Sequence, residues 1–306
     1  MLQVPRRFLL NDEGSIALHY LDLDAPDRGW SFSGPGRDLQ LIGADRVLRS
    51  TPAGFVELEL NSGRLVREVE LDDEVGGVES ARRLPNGHTL LLGNRVDGIV
   101  LCELDAQARL LPERQLLGAG LAKGRMVRHT PEGKLLFCSE TRGRRLVHQA
   151  DFDEGVSTLF ELPAEVAADS MVKAVRTSPD RLVVSSGYAA SLLIIDTAQG
   201  RVVQSIGGKQ QAQPTGLRRP LSPHFFSGYQ LLRTGAYLLA NWQGHGPSHA
   251  GDGYQVLLYG PDGSLEWCFD QTEYPHMTSL NNVIALDDLD TSLLHDERHG
   301  QLTPVA

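Results

Sequence analysis

Apolar and polar positions along the chain fall into short β-rich runs separated by tight polar turns, the pattern of hairpins and not of helices. The clearest copies are ELELNSGRLVREVEL (57–71), CELDAQARLLPERQL (102–116), HQADFDEGVSTLFEL (148–162), IIDTAQGRVVQSIG (194–207) and LLYGPDGSLEWCFD (257–270), with LHYLDLDAPDRGWSFS (18–33) as a poorer sixth. Their turn centres, Pro26, Ser62, Ala106, Asp153, Ala198 and Asp262, are separated by 36, 44, 47, 45 and 64 residues. A second hairpin precedes each of five turns at similar phase: LQLIGADRVLRS, ARRLPNGHTLLLG, VRHTPEGKLLFCS, AVRTSPDRLVVSS and YQLLRTGAYLLANW. Two hairpins per period make four strands, and a period in the mid-forties is that of a propeller blade.

The pattern predicts an all-β chain, a six-bladed β-propeller with four antiparallel strands per blade, spanning residues 1–306 as one domain. The first hairpin of the sixth set is split: SLNNVIAL (279–286) reads as an innermost strand and RRFLLND as the second strand of the same blade. Joining N- and C-terminal strands in this way closes the ring and removes exposed sheet edges. A parallel solenoid usually has shorter repeats, and a β-sandwich has no reason for a sixfold period. Only AEVAADSMVKAV (164–175) has amphipathic helical character, and the repeat register puts its second half on a strand. The tail LDDLDTSLLHDERHGQLTPVA is expected to be irregular or a surface flap.

Charge narrows the range of partners. With 29 Lys+Arg against 39 Asp+Glu, the net charge of −10 excludes a general nucleic-acid coat or a binder of anionic membranes. No apolar run approaches the roughly 18 residues of a membrane span. Cys102, Cys138 and Cys268 are an odd number in apolar stretches and read as buried thiols. The start, MLQVPRRFLLNDEG, is not a signal peptide, so a cytoplasmic location is expected, or a periplasmic one if a targeting segment precedes this chain. No Gly-rich phosphate loop, Gly-x-Ser-x-Gly or Cys-x-x-Cys is present.

In a propeller, the loops between blades and those joining the second and third strands converge on one mouth of the central channel, the default ligand site. Arg37, Asp38, Glu79, Lys123, Arg125, Ser170, Lys173, His224 and His276 fall on the first set of loops. Asn11, Asp12, Asn94, Glu140, Arg142, Tyr188 and the long segment from Asn241 to Asp252 fall on the second. That long segment, NWQGHGPSHAGDG, exceeds its counterparts and gathers histidines in the sixth blade. His224 and His245 are the candidates for general acid or base, since imidazole titrates near neutral pH. Some of His224, His245, His249, His276 and Glu79 could alternatively hold a divalent metal. Asn241 and Trp242, with Arg37, Glu79, Arg125 and His276, are the expected ligand contacts. Convergent Arg and Lys side chains would select a small polar or anionic molecule, unless each pairs with an acid such as Asp38, Glu140 or Asp169.

The elements ARRLPNGHTLLLGN, HTPEGKLLFCSE and RTSPDRLVVSSG resemble bacterial propeller blades of quinoprotein and arylsulfotransferase type. YLLANWQGHG (237–246), followed by QVLLYGPDGSLEWCF, resembles an uncharacterised family of six-bladed propellers with an Asn-Trp-Gln-Gly-His segment. The first resemblance implies a histidine able to act as a transient nucleophile. Pyrroloquinoline quinone normally needs eight blades, so six argue against it. Six-bladed lactonases set Glu, Asn and Asp around a divalent ion; here Glu79 and Asn94 are on offer, though no motif fixes them as equivalents. The sequence thus supports a small-molecule site at the channel mouth, serving hydrolysis or group transfer, or alternatively a non-catalytic scaffold that docks a protein partner.

Overall fold

The computed structural model describes residues 3–71, 74–164, 170–246, 248, 252–270, 272, 274 and 277–305. Six blades of four antiparallel strands stand in a ring, as the repeat period requires. Blade I combines the inner strand Leu280–Ala285 with Arg7–Asp12, Ala17–Asp22 and Trp30–Ser33, so the two ends of the chain meet in one sheet. Blades II to VI begin at the channel with Leu39–Gly43, Gly77–Arg83, Arg128–His129, Ala174–Ser178 and Phe225–Leu231. Residues 165–169, inside the stretch with helical character, lie outside the described residues, and Ala174–Ser178 follows as strand.

The hydrophobic pattern explains the stacking. A strand in the middle of a blade has neighbours on both faces and is buried throughout, as in Gly98–Leu104, where the one charged residue, Glu103, is paired with Arg114 at 2.6 Å. An outer strand such as Leu65–Glu70 mixes buried Val69 with exposed Leu65, Glu68 and Glu70. Six apolar clusters follow, each between neighbouring blades. One runs from Leu238, Val256 and Leu258 of blade VI to Phe8, Leu10 and Val283 of blade I. Another joins Leu9 and Leu18 of blade I to Leu41, Val47 and Val56 of blade II. Cys102 and Cys138 are buried free thiols, as expected, whereas Cys268 is only partly buried.

The tail departs from expectation. Instead of an irregular flap, residues 295–304 form a hairpin, His295–His299 with Gln301–Pro304, inserted at the end of the channel away from the mouth. Gln301 pairs with Leu231 at the end of the inner strand of blade VI, and Leu294 bridges Ile42 of blade II. The hairpin's charges read as solvent-facing in sequence, yet Asp296 and Glu297 are both 2% exposed. They meet cations supplied by the inner strands. Arg82 Nη2 donates to Asp296 at 3.1 Å, and Lys173 Nζ to Glu297 at 2.6 Å. Arg128 bonds Asp38 through both terminal nitrogens, at 2.7 and 2.8 Å, and reaches Glu297 through Nε. Arg82, Arg128 and Lys173 thus meet Asp38, Asp296 and Glu297 around the axis, and Arg298 adds a further cation on Asp296 at 3.2 Å. Asp38 and Lys173, expected on the mouth, are instead buried in this network, and the partner of Lys173 is Glu297.

Burial would raise the carboxyl groups of Asp38 and Glu297, but Arg128 and Arg82 on the first, and Lys173 and Arg128 on the second, outweigh it and hold both below the usual range. Burial also pushes Lys173 down to about 8, against the opposing pull of Glu297. The depressed carboxylates fix the sign of the acid response. Above the ordinary carboxylate range, near pH 4, both folded and unfolded chains are ionised and the stabilisation is complete. Below it the unfolded chain takes up protons first, so stability is lost as pH falls. Urea midpoints should drop steeply from pH 4 to 3, less steeply in Glu297→Gln. Equal slopes in the two proteins would contradict this role for the network.

Candidate functional site

At the mouth, the inner strands leave two adjoining cavities. The inner one, about 280 Å³, is lined by Arg37, Arg125, Ser170, Tyr188, Phe225, Trp242 and Asn281, among others. The outer one, about 580 Å³, extends over blades I to III between Ile16, Pro35, Pro52, Gly77 and Val78. Glu13, Arg37, His245 and Asn281 line both and so stand at the divide.

On one side of the divide is a guanidinium cluster. Arg37 Nε lies 2.9 Å and Arg125 Nη1 3.4 Å from the same Glu79 carboxylate oxygen. Two cations share one anion, so the cluster keeps net positive charge. Lys123, by contrast, has Glu140 at 2.8 Å. Opposite stands an aromatic wall. Tyr188 meets Phe225 edge-on at 4.7 Å between centroids, and Phe225 meets Trp242 at 5.4 Å. His245 packs edge-on against Trp242 at 4.7 Å, and its Nδ1 is 3.2 Å from Glu13 Oε1. A carboxylate beside Nδ1 accepts the proton carried there and so orients the ring, with Nε2 turned away from it.

Asp12, beside Glu13, anchors this arrangement from below. Its carboxylate accepts from the Gly14 and Ser15 amides at 2.9 and 3.2 Å. It also accepts from Thr278 N and Oγ1, both at 2.6 Å, and from Ser279 N at 2.9 Å. Burial acts to raise its carboxyl, yet the bonds from His19, Thr278 and Ser279 leave it well below the usual range. Gly36 forms part of the outer wall because no side chain fits there: a Cβ would lie 2.3 Å from Arg49 Nε and 2.6 Å from Ser50 O. The Arg49 guanidinium beneath it is pushed down to about 10 by burial, with Asp12 opposing.

The structure thus gathers Arg37, Glu79, Arg125, Trp242 and His245 of the residues anticipated from sequence. Asn241 is adjacent but fully buried. Its Oδ1 accepts from the His224 amide at 2.9 Å and its Nδ2 donates to Tyr254 O at 2.8 Å, so it shapes the site from behind. His224 also stands behind the wall, with Nδ1 donating to the Trp242 carbonyl at 3.1 Å and its ring 5.7 Å from the indole. His249, His276 and Asp169 lie outside the described residues. Glu13 and Asn281 were not singled out, although Glu13 directly follows Asn11 and Asp12, which the loop register did place at the mouth.

A lactonase-type metal does not fit the residues offered for it. Glu79 is engaged by two arginines, and the Asn94 amide is engaged with the backbone of Gly124 at 2.7 and 3.1 Å. Among the described residues, no three of His, Cys, Asp and Glu gather in a way that could hold a metal ion. Nor, among them, is any helix long and apolar enough to cross a membrane.

No protein-family model matches the sequence, and no curated protein matches it either. Solved structures do match. A protein of unknown function from Bacteroides caccae superposes with a TM-score of 0.69 at 15% identity, covering 92% of this chain and 98% of that one. A calcium-binding protein, regucalcin, from Agrobacterium tumefaciens gives 0.56 at 13% identity, covering 84% and 85%. A streptogramin B lyase gives 0.53 at 12%, covering 88% and 89%. At such identities the likeness extends to the fold and no further: this chain is similar to proteins with a β-propeller architecture, one of them without known function.

Proposed function

We infer that the channel mouth binds a small anionic molecule and that His245, oriented by Glu13, serves it as acid or base. The observation that carries the reading is the Arg37–Glu79–Arg125 cluster, in which one carboxylate leaves two guanidiniums incompletely neutralised across the cavity from the His245–Glu13 pair. Charge-assisted bonds to a ligand carboxylate, sulfate or phosphate ester would complete the arginines. Hydrolysis or group transfer needs a proton moved from water or a hydroxyl, and Nε2 of His245 can take it while Glu13 stabilises the imidazolium. The alternative of a protein-docking scaffold has less support. Among the described residues, the exposed large apolar ones, Ile16, Leu65, Val96, Leu117, Val203 and Leu293, are spread over blades I, II, III and V and the tail, not gathered in one patch.

Calorimetry with benzoate and cyclohexanecarboxylate, against the neutral benzamide, tests the reading. Carboxylates should bind and the amide should not. Arg125→Gln should weaken the carboxylates about tenfold or more while leaving thermal stability nearly unchanged. Equal binding of acid and amide would overturn the assignment.

A further inference from the structure

The two cavities differ in chemistry, and the difference specifies a class of ligand. The inner chamber combines the incompletely neutralised guanidinium cluster with Tyr188, Phe225 and Trp242. Ser170 Oγ and Trp242 Nε1 in this wall are buried and have no hydrogen-bond partner. Orphaned polar groups are costly in a folded chain and point to a partner that arrives with the ligand. The outer cleft adds Ile16, Pro35, Pro52 and Val78 with Gly36 and Gly77, and meets the Arg37–Glu79 pair along its edge. Ile16 is the telling residue there: it is 54% exposed and held at φ 53°. A β-branched side chain in the left-handed region is strained, and an exposed one gains little from burial in return. Its position is accounted for if it covers an apolar part of a bound molecule.

We propose that the site takes a two-part ligand. A compact aromatic acid occupies the inner chamber, with its ring against Tyr188, Phe225 and Trp242 and its anionic group on Arg37 and Arg125. An apolar tail lies in the outer cleft, and the junction between the two parts sits at His245 and Glu13, which line both cavities. The proposal rests on the channel-mouth reading and adds the ring, the tail and the order in which they lie. A labile bond at the junction would be the one placed within reach of the imidazole.

The test is a calorimetric series of 4-alkoxybenzoates from methoxy to hexyloxy, with benzoate and cyclohexanecarboxylate as references. In the native protein each added methylene should tighten binding up to about fourfold, the gain from burying one such group. Gly77→Trp fills the cleft from a position where a Cβ meets nothing within 4 Å and where φ is not in the left-handed region. It should abolish the dependence on chain length while benzoate still binds. Ile16→Asn, better suited to a positive φ, should keep or raise the melting temperature and flatten the dependence. If chain length has no effect in the native protein, the tail is overturned while the anionic site stands. If cyclohexanecarboxylate binds as tightly as benzoate, the aromatic head is overturned. If no carboxylate binds, the channel-mouth reading itself fails.

Discussion

Arg128→Ala is expected to lower the stability of the fold by about 3–5 kcal/mol, the range for removing one partner of a buried ion pair. The guanidinium is 1% exposed and is shared by Asp38 and Glu297, so its loss strands two carboxylates in the channel at once. Desolvation makes an unpaired buried charge far costlier than the net worth of the pair that held it. Urea unfolding at pH 7 reads the loss directly. Glu297→Gln leaves Arg128 on Asp38 and should cost less, giving a measurable step if the first variant does not fold. A loss below about 1 kcal/mol for Arg128→Ala would show that the tail hairpin does not depend on this network for its place.

Asp12→Ala is expected to cost at least about 3 kcal/mol and to abolish carboxylate binding with it. Five hydrogen bonds converge on this fully buried carboxylate, tying the turn at 12–15 to residues 278–279 at the far end of the sequence. Without it the donors lose their acceptor, and Glu13 loses the turn that aims it at His245. Asp12→Asn keeps the shape and one acceptor oxygen and should recover part of the stability. Should Asp12→Ala keep both the native urea midpoint and benzoate binding, neither the joining of the two ends nor the mouth geometry would depend on it.

Regular structure was legible because hairpin turns and the mid-forties period are local signals. Each turn from Ser62 to Asp262 marks the third and fourth strands of a blade, and both halves of blade I were readable from SLNNVIAL and RRFLLND. The tail was not legible for the opposite reason. HDERH looks like a solvated turn until Arg82, Arg128 and Lys173 are brought to it, and those partners lie more than 120 residues away in the case of Lys173 and Glu297. The same distinction runs through the site. Loop register placed Arg37, Glu79, Arg125, Trp242 and His245 at one opening, but it could not distinguish a side chain facing the cavity from one turned into the wall. Hence Asn241 and His224 stand behind Trp242, and Glu13 takes its role only through a contact 232 residues away along the chain.

The inserted hairpin has a kinetic corollary. With residues 295–304 seated at the far end of the axis, the mouth is the open end among the described residues. A molecule bound there would therefore leave by the opening through which it entered.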